Sequence, residues 1–150
     1  MKGAILEKGP NFFTNLLEVF ENVNNIQCNY KWLITDYECY PTSEKNSKVF
    51  SSEYIIIDGQ ELTELLKLDN FQWIWGVFSA FDKNINNEEI LHFGLPYANG
   101  NEKLWENISL QHPLADIEIV AWDSSKTLIF SRNDVVIDLF INKYDSAIQL

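Results

Sequence analysis

The side chains best suited to proton transfer or nucleophilic attack in this sequence are two histidines, His92 and His112, and two cysteines, Cys28 and Cys39. General acid–base catalysis often recruits histidine, but neither histidine lies in a recognisable motif. A cysteine nucleophile needs a nearby histidine base, and the cysteines are too widely spaced for a CxxC metal or redox motif. We therefore predict no catalytic residue and two reduced thiols. A small hydrolase that uses either histidine with Cys39 or nearby acids remains an alternative.

Carboxylates occur in three close pairs: Asp36 with Glu38, Glu88 with Glu89, and Asp116 with Glu118. In a strand, a spacing of two residues places both carboxylates on one face, a geometry suited to glycoside chemistry or a divalent ion. An exposed polar strand face produces the same pattern, and neither a third ligand nor a glycine-bearing loop of EF-hand spacing accompanies it. We favour the solvated face and predict no metal site and no cofactor.

The charge balance limits the classes of partner. The chain has 22 acidic and 11 basic side chains, a formal net charge of −11, and a single arginine, Arg132. Phosphate backbones and anionic membranes attract clustered lysine and arginine, so direct binding to nucleic acid or to such a membrane is disfavoured. A basic protein partner is favoured instead. Acidity that serves solubility alone is the open alternative.

Length and composition indicate one domain over residues 1–150. The chain is 46% hydrophobic and 14% aromatic, enough to form a core without disulfides or metals. The N-terminus meets charge before a long apolar segment can form, and no stretch approaches the length of a membrane span. We expect a cytoplasmic protein.

Hydrophobic periodicity and turn signals predict a mixed α+β domain, in which helices pack on a mostly antiparallel sheet. The predicted strands are residues 2–7, 30–34 with a continuation or return at 36–40, 54–57, and a hairpin of 117–122 with 127–130. Four helices are predicted. The first is capped by Asn11 and ends near residues 22–25, and the second is capped by Asp58. A weak third helix carries Leu104, Trp105 and Ile108, and the last is capped by Ser131 or Asn133. Residues 42–48 are expected to form a polar loop, and residues 88–93 a strand or a short helix.

The stretch "NFQWIWGVFSAF", residues 70–81, contains two tryptophans and three phenylalanines. As a strand, it places Phe71, Trp73, Trp75 and Val77 on one side and other apolar residues on the opposite side. This pattern is typical of a central strand that is covered on both faces. The alternative is an aromatic face in a groove, where Trp73 or Trp75 binds a partner or lines a small-molecule pocket.

The layout resembles an uncharacterised family of short bacterial proteins in its segments "KGAIL", "YKWLI", "IDGQEL", "SAF" and "IEIVAWDSS". In size, acidity and lack of a catalytic signature, the chain is also similar to immunity proteins of bacterial toxin systems, including those of contact-dependent growth inhibition. This resemblance implies a non-enzymatic inhibitor that neutralises a basic toxin, such as a nuclease. The residues we expect at the toxin-binding interface are carboxylates and aromatics in loop-rich regions: Tyr37, Glu38, Tyr40, Glu44, Glu88, Glu89, Tyr97, Glu102 and Trp105.

Overall fold

The computed structural model describes residues 1–69 and 71–150. Within these residues, seven antiparallel strands form one sheet. The strands are β1 (Lys2–Leu6), β2 (Tyr30–Cys39), β3 (Tyr54–Asp58), β4 (Trp73–Asp82), β5 (Ile117–Trp122), β6 (Lys126–Ser131) and β7 (Ile148–Gln149). Their order in the sheet is β3-β2-β4-β5-β6-β1-β7. The predicted α+β class with an antiparallel sheet is confirmed, and so is the hairpin of β5 and β6.

In the described part of the chain, five helices connect the strands: α1 (Leu16–Asn22), α2 (Glu44–Val49), α3 (Gly59–Leu68), α4 (Asn87–Leu91) and α5 (Asp134–Lys143). A short 3-10 helix, Ile26–Asn29, precedes β2. Polar side chains begin the helices as capping chemistry predicts: Asp58 accepts a hydrogen bond from Gln60 N, and Asn133 accepts one from Val135 N. The prediction that Asp58 has a structural role at a helix start is therefore confirmed.

Each face of the sheet has a different cover. Alternate strand residues, among them Trp32, Ile34, Phe78 and Ile119, pack against the apolar stripes of α1, α3 and α5. On the opposite face, buried strand residues meet the largely irregular segment 83–116, which contains α4. Because both faces are covered, the central strands are largely apolar on both sides, as expected for strands buried on two faces.

The aromatic stretch is mainly core. Phe71, Trp73, Phe78 and Phe81 are buried, whereas Trp75 is half-buried. The predicted grouping is wrong at the start of the strand: Trp73 packs in the core on the helix-covered face, while Trp75 joins the cluster on the opposite face. The register shifts here: between the pairs Glu38–Trp75 and Cys39–Trp73, β2 advances one residue while β4 advances two, and this irregularity in β4 disturbs its alternation. The first residue of the stretch, Asn70, lies outside the described residues.

Tertiary contacts correct one predicted helix start and one predicted loop. Helix α1 is capped by Asn15, not Asn11, because the preceding backbone pairs with the sheet: Thr14 N donates to Trp73 O at 3.1 Å, and Trp73 N donates to Thr14 O at 3.2 Å. The predicted polar loop at 42–48 contains α2, which is capped by Ser43. Buried Asn46 stabilises α2 by donating to Leu65 O on α3 at 2.8 Å.

The weak helix predicted around Leu104, Trp105 and Ile108 does not form. Isolated turns replace it, with hydrogen bonds between residues three apart, such as Leu104 N to Asn101 O at 3.4 Å. Leu104 is buried against the sheet and Trp105 packs on Trp122, so this segment follows the sheet surface instead of coiling. The sequence of residues 88–93 is compatible with a strand or a short helix, and the structure shows that residues 88–91 belong to the short helix α4.

Candidate functional site

The candidate site begins at a bulge in β2. Thr35 pairs with Val77 and Glu38 pairs with Trp75, so β2 advances three residues while β4 advances two. Asp36 lies at this irregularity with a φ of 47°, a left-handed conformation that Asp tolerates better than most residues. The predicted continuation of the strand after a bend is confirmed, and the bend is this bulge.

The bulge holds the loop of residues 95–99 in place. One carboxylate oxygen of Asp36, Oδ2, accepts hydrogen bonds from Ala98 N at 2.7 Å and from Asn99 N at 2.8 Å. The Thr35 hydroxyl donates to Pro96 O at 2.7 Å. Three hydrogen bonds from two successive residues thus fix the backbone on both sides of Tyr97.

A cleft of about 350 Å³ lies between the bulge and this loop. We name it the Tyr37–Tyr97 cleft, and its lining residues are Thr35, Asp36, Tyr37, Ser52, Glu53, Leu95, Pro96 and Tyr97. The Tyr37 hydroxyl donates to Ser52 O at 2.5 Å, which closes one wall. Burial raises the pKa of Tyr37, so its phenol is a neutral donor in this bond.

Exposed acidic and aromatic side chains continue from the cleft along the end of β2. Tyr40 is 70% exposed, and its hydroxyl donates to Glu38 Oε1 at 2.8 Å. This hydrogen bond to Glu38 raises the pKa of Tyr40. Within the part of the chain that the structure describes, no ion pair involves Asp36, Glu38 or Glu53. This end of the sheet therefore combines uncompensated carboxylates with exposed tyrosines.

Of three other predicted interface residues, Glu44 and Trp105 already have intramolecular partners, whereas Glu102 does not have one among the described residues. Glu44 forms an ion pair with Lys48 at 3.0 Å on α2. Glu102 is exposed in the turns that follow Tyr97. Trp105 is half-buried and packs edge-on against Trp122, with ring centroids 5.0 Å apart. Because part of the Trp105 ring is already covered, less of its surface is available to a partner than for a fully exposed tryptophan.

Glu88 and Glu89 lie at the other end of the β2–β4 pair. They are exposed on α4, which follows β4, and Lys31 near the start of β2 donates to Asn87 at 3.2 Å. Eight residues of strand separate Tyr30 from Glu38, a distance of about 25 Å at the usual rise per residue. The structure therefore does not bring these two carboxylates into one surface with Tyr37, Glu38, Tyr40 and Tyr97.

The structure separates Cys39 from His112. Cys39 lies opposite Trp73 at the start of β4, whereas the His112 ring packs on Phe81 near the end of that strand, with centroids 4.7 Å apart. Burial raises the pKa of Cys39 to about 12, and burial lowers the pKa of His112. A thiol held protonated and far from the imidazole cannot form the Cys39–His112 pair considered above.

Glu118 is fully buried in β5, which contradicts the solvated face expected for Asp116 and Glu118. Its carboxylate accepts hydrogen bonds from Gln111 N at 3.1 Å and Gln111 Nε2 at 3.2 Å. Burial raises the pKa of Glu118 to about 7, against the opposing effect of these donors. Gln111 Oε1 in turn accepts from Tyr97 N at 3.0 Å, so the buried acid supports the same loop that Asp36 holds.

Sequence reasoning missed several residues that form or support the cleft. Ser52 and Glu53 follow the predicted polar loop, and Gln111 directly precedes His112, which is a candidate for proton transfer. One feature of the sequence does point to the site. The β2 pattern is interrupted at Asp36, between two apolar or aromatic segments, and this interruption indicates a bend. That signal does not reveal which loop the bend holds.

Comparison with known proteins identified one related family. The sequence model described as "Protein of unknown function (DUF2691)" matches residues 2–99. The matched range contains the segments "KGAIL", "YKWLI", "IDGQEL" and "SAF" but not "IEIVAWDSS". Neither the curated proteins nor the solved structures gave a match.

The described residues contain no group of three or more His, Cys, Asp or Glu side chains arranged to hold a metal ion. None of the helices that they form has the length and the apolar character required for a bilayer span.

Proposed function

The chain belongs to the family of proteins of unknown function DUF2691, and we propose that it is a non-enzymatic protein that captures a basic protein partner. The proposed surface consists of Tyr37, Glu38, Tyr40, Glu53 and Tyr97 at one end of the sheet. We call it the acidic–aromatic surface. Its proposed biological role is that of an immunity protein, which neutralises a basic toxin, such as a nuclease, in the bacterial cytoplasm.

The observation that carries this proposal is the combination of uncompensated carboxylates with exposed tyrosines on a rigid support. Glu38 and Glu53 take part in no ion pair among the described residues. Glu38 accepts a hydrogen bond from exposed Tyr40, and Glu53 lines the same cleft as exposed Tyr97. Protein interfaces commonly combine aromatic side chains that become desolvated with charged groups at the rim. Loop residues 95–99 are fixed by Asp36 and Thr35, so little conformational entropy is lost when a partner binds.

The net charge of −11 supports the same proposal through the rate of association. A field of one sign can increase the rate of encounter with an oppositely charged protein about 10- to 1,000-fold at low salt. An inhibitor of an intracellular toxin must bind before the toxin reaches its substrate. A fast, electrostatically steered encounter therefore fits this role better than slow binding through a neutral surface.

Affinity capture followed by binding measurements tests the proposal. The wild-type chain is used as bait in a lysate of the native host, and the captured protein is purified and titrated by calorimetry. We expect a protein with a basic surface, whose association weakens by at least about tenfold between low and high salt because exposed charges are screened. Co-expression should abolish any toxicity that this partner has alone.

The double variant Glu38→Gln/Glu53→Gln, which removes two negative charges, should weaken the binding. Tyr97→Ala should increase the dissociation rate. The matched control is Glu88→Gln/Glu89→Gln, which removes the same number of charges at the opposite end of β2. Equal weakening by both double variants would place the interface elsewhere. Association that is insensitive to salt would contradict electrostatic capture.

A further inference from the structure

The Tyr37–Tyr97 cleft has two carboxylates and no basic residue. Its charged lining residues are Asp36 and Glu53, and its lining contains no lysine, arginine or histidine. Three other clefts on the described surface combine carboxylates with lysines, which are Lys67, Lys31 with Lys83, and Lys143. A fourth cleft also lacks basic residues, but its lining has a single carboxylate, Glu18. A cationic group in the Tyr37–Tyr97 cleft would therefore meet two carboxylates and no like charge.

The walls of the cleft are suited to a long side chain with an apolar stem. Tyr97 is 51% exposed and Leu95 is 37% exposed, and both lie on the loop that forms one wall. Tyr37 lies on the other wall, where its ring is fixed by packing against Phe50 and Trp73. Long cationic side chains place their methylene groups along apolar surface while the charged end remains at polar groups.

We propose that the Tyr37–Tyr97 cleft receives one arginine side chain of the basic partner. The methylene stem would pack between Leu95 and the tyrosine rings. The guanidinium group would bind the carboxylates of Asp36 and Glu53. This inference rests on the proposed function for the identity of the partner as a protein, but the recognition of arginine by the cleft can be tested alone.

Arginine fits the cleft better than lysine for two physical reasons. A guanidinium is planar and stacks on aromatic rings, and it is less strongly hydrated than an ammonium group, so it is easier to desolvate beside Tyr37 and Tyr97. It also carries five N–H donors in a fixed fork, which can engage two carboxylates at once. Asp36 uses Oδ2 for the loop, and its second oxygen, Oδ1, has no hydrogen bond among the described residues.

The cleft is formed before any ligand arrives. The hydrogen bonds from Thr35 to Pro96 and from Ala98 to Asp36 set the distance between its walls. The bond from Tyr97 N to Gln111 ties the same wall to buried Glu118. Preorganised sites lose less conformational entropy on binding, so even a single amino-acid derivative should bind measurably.

A solution NMR titration tests the proposal with a defined probe. N-acetyl-arginine methylamide is added to the ¹⁵N-labelled full chain, and amide chemical shifts are followed up to about 50 mM ligand. We expect saturable shifts confined to the backbone amides of the cleft, with a Kd of about 1–10 mM. The neutral citrulline derivative, which has nearly the same shape, should bind at least about threefold more weakly because it lacks the charge.

Substitution of a lining carboxylate gives the second arm of the test. Glu53→Gln should weaken binding of the arginine probe about threefold, while the matched control Glu88→Gln should leave it unchanged. The lysine derivative should bind more weakly than arginine. The proposal is overturned by absence of saturable shifts, by equal binding of citrulline, by tighter binding of lysine, or by shifts spread over the whole acidic surface.

The results distinguish a failure of the arginine site from a failure of the proposed function. If the arginine probe does not bind, but a basic partner is captured and remains sensitive to salt, the cleft is not an arginine site and the proposed function stands. If the arginine probe binds in the cleft and no basic partner is captured, the arginine site stands and the proposed function fails. Each result assigns the failure to one of the two proposals.

Discussion

The buried carboxylate of Glu118 accepts hydrogen bonds from both the backbone N–H and the side-chain N–H of half-buried Gln111, at 3.1 and 3.2 Å. Gln111 also holds the loop of residues 95–99, because its Oε1 accepts a hydrogen bond from Tyr97 N. A carboxylate inside the sheet cover is thus connected by two hydrogen bonds to the exposed loop of the candidate site. This connection links the stability of the core to the position of Tyr97.

The first prediction concerns the pH dependence of stability caused by Glu118. Its pKa in the folded state is about 7, above the ordinary value near 4.5, so the folded chain binds a proton more readily than the unfolded chain does. The contribution of Glu118 to the free energy of unfolding is therefore greatest below pH 4.5 and decreases by about 3 kcal/mol as pH rises to 7. Urea denaturation of wild type and Glu118→Gln at several pH values should show this difference, since the variant lacks it.

His112 changes the stability in the opposite direction as pH varies, so its contribution to the free energy of unfolding must be separated from that of Glu118. Its pKa is lowered by burial, so protonation of the unfolded chain decreases stability as pH falls below about 6.5. Both Glu118→Gln and wild type contain His112, so its contribution cancels in the difference between them. Glu88→Gln on the surface of α4 controls for the loss of one charge. A pH-independent difference between wild type and Glu118→Gln would contradict the prediction.

The second prediction concerns the role of Asp36 as the anchor of the loop. Asp36→Ala removes the acceptor of Ala98 N and Asn99 N and places a residue poorly suited to the left-handed conformation at a φ of 47°. We expect a loss of about 2–3 kcal/mol in the free energy of unfolding. Hydrogen exchange of the Ala98 and Asn99 amides should become faster.

Asp36→Asn is the matched variant, because its side-chain oxygen can still accept and Asn tolerates the left-handed region. It should lose less stability than Asp36→Ala. Unchanged exchange at both amides in the alanine variant would show that the loop is held by other contacts.

The third prediction distinguishes core aromatics from the half-buried one. Trp73 has no exposed surface and packs edge-on against Phe50 and Phe78, with ring centroids 5.1 and 4.9 Å away. Trp73→Ala should lower the free energy of unfolding by about 3–5 kcal/mol through the cavity that it creates. Trp75→Ala should cost about 1–2 kcal/mol, because this side chain is only half-buried.

Trp73→Phe provides the control for the cavity. Trp73 Nε1 is buried and has no hydrogen-bond partner among the described residues, so loss of this N–H removes no hydrogen bond. The phenylalanine variant should therefore be clearly more stable than Trp73→Ala in chemical denaturation. Similar stability losses for Trp73→Ala and Trp75→Ala would contradict the assignment of Trp73 to the core.

The fourth prediction concerns the close approach of α3 to the 3-10 helix. A Cβ built on Gly59 would lie 1.8 Å from Gln27 O, a backbone atom that cannot move alone. Gly59→Ala should destabilise the fold by about 3 kcal/mol or more, since the two elements must separate. Gly94→Ala is the matched control, because its Cβ would meet no atom within 4 Å. Thermal denaturation of both variants gives the comparison.

Much of the fold is predictable from local patterns. The stripe Phe13, Leu16, Leu17 and Phe20 predicts a helix, which forms from Leu16 onward as α1. Asp58 with Glu61 three residues later predicts the start of α3 through capping. Two apolar runs joined by Asp123–Lys126 predict the hairpin of β5 and β6, in which Lys126 already belongs to β6. These features depend on residues within a few positions of one another, so the sequence contains the information that defines them.

The candidate site depends on contacts that have no local signature. Asp36 binds Ala98 across 62 positions, and Thr35 binds Pro96 across 61. The spacing of Asp116 and Glu118 is the same for an exposed and a buried strand face, and only the cover supplied by residues 83–116 decided that Glu118 is buried.

The sequence by itself therefore determined the α+β class, most of the strands and helices, and the excess of negative charge. The tertiary structure decided which carboxylates are buried, which are paired, and which lie beside exposed tyrosines. The physical reason is that periodicity and capping act over one or two turns of chain, whereas desolvation and loop anchoring depend on residues that only the folded sheet brings together.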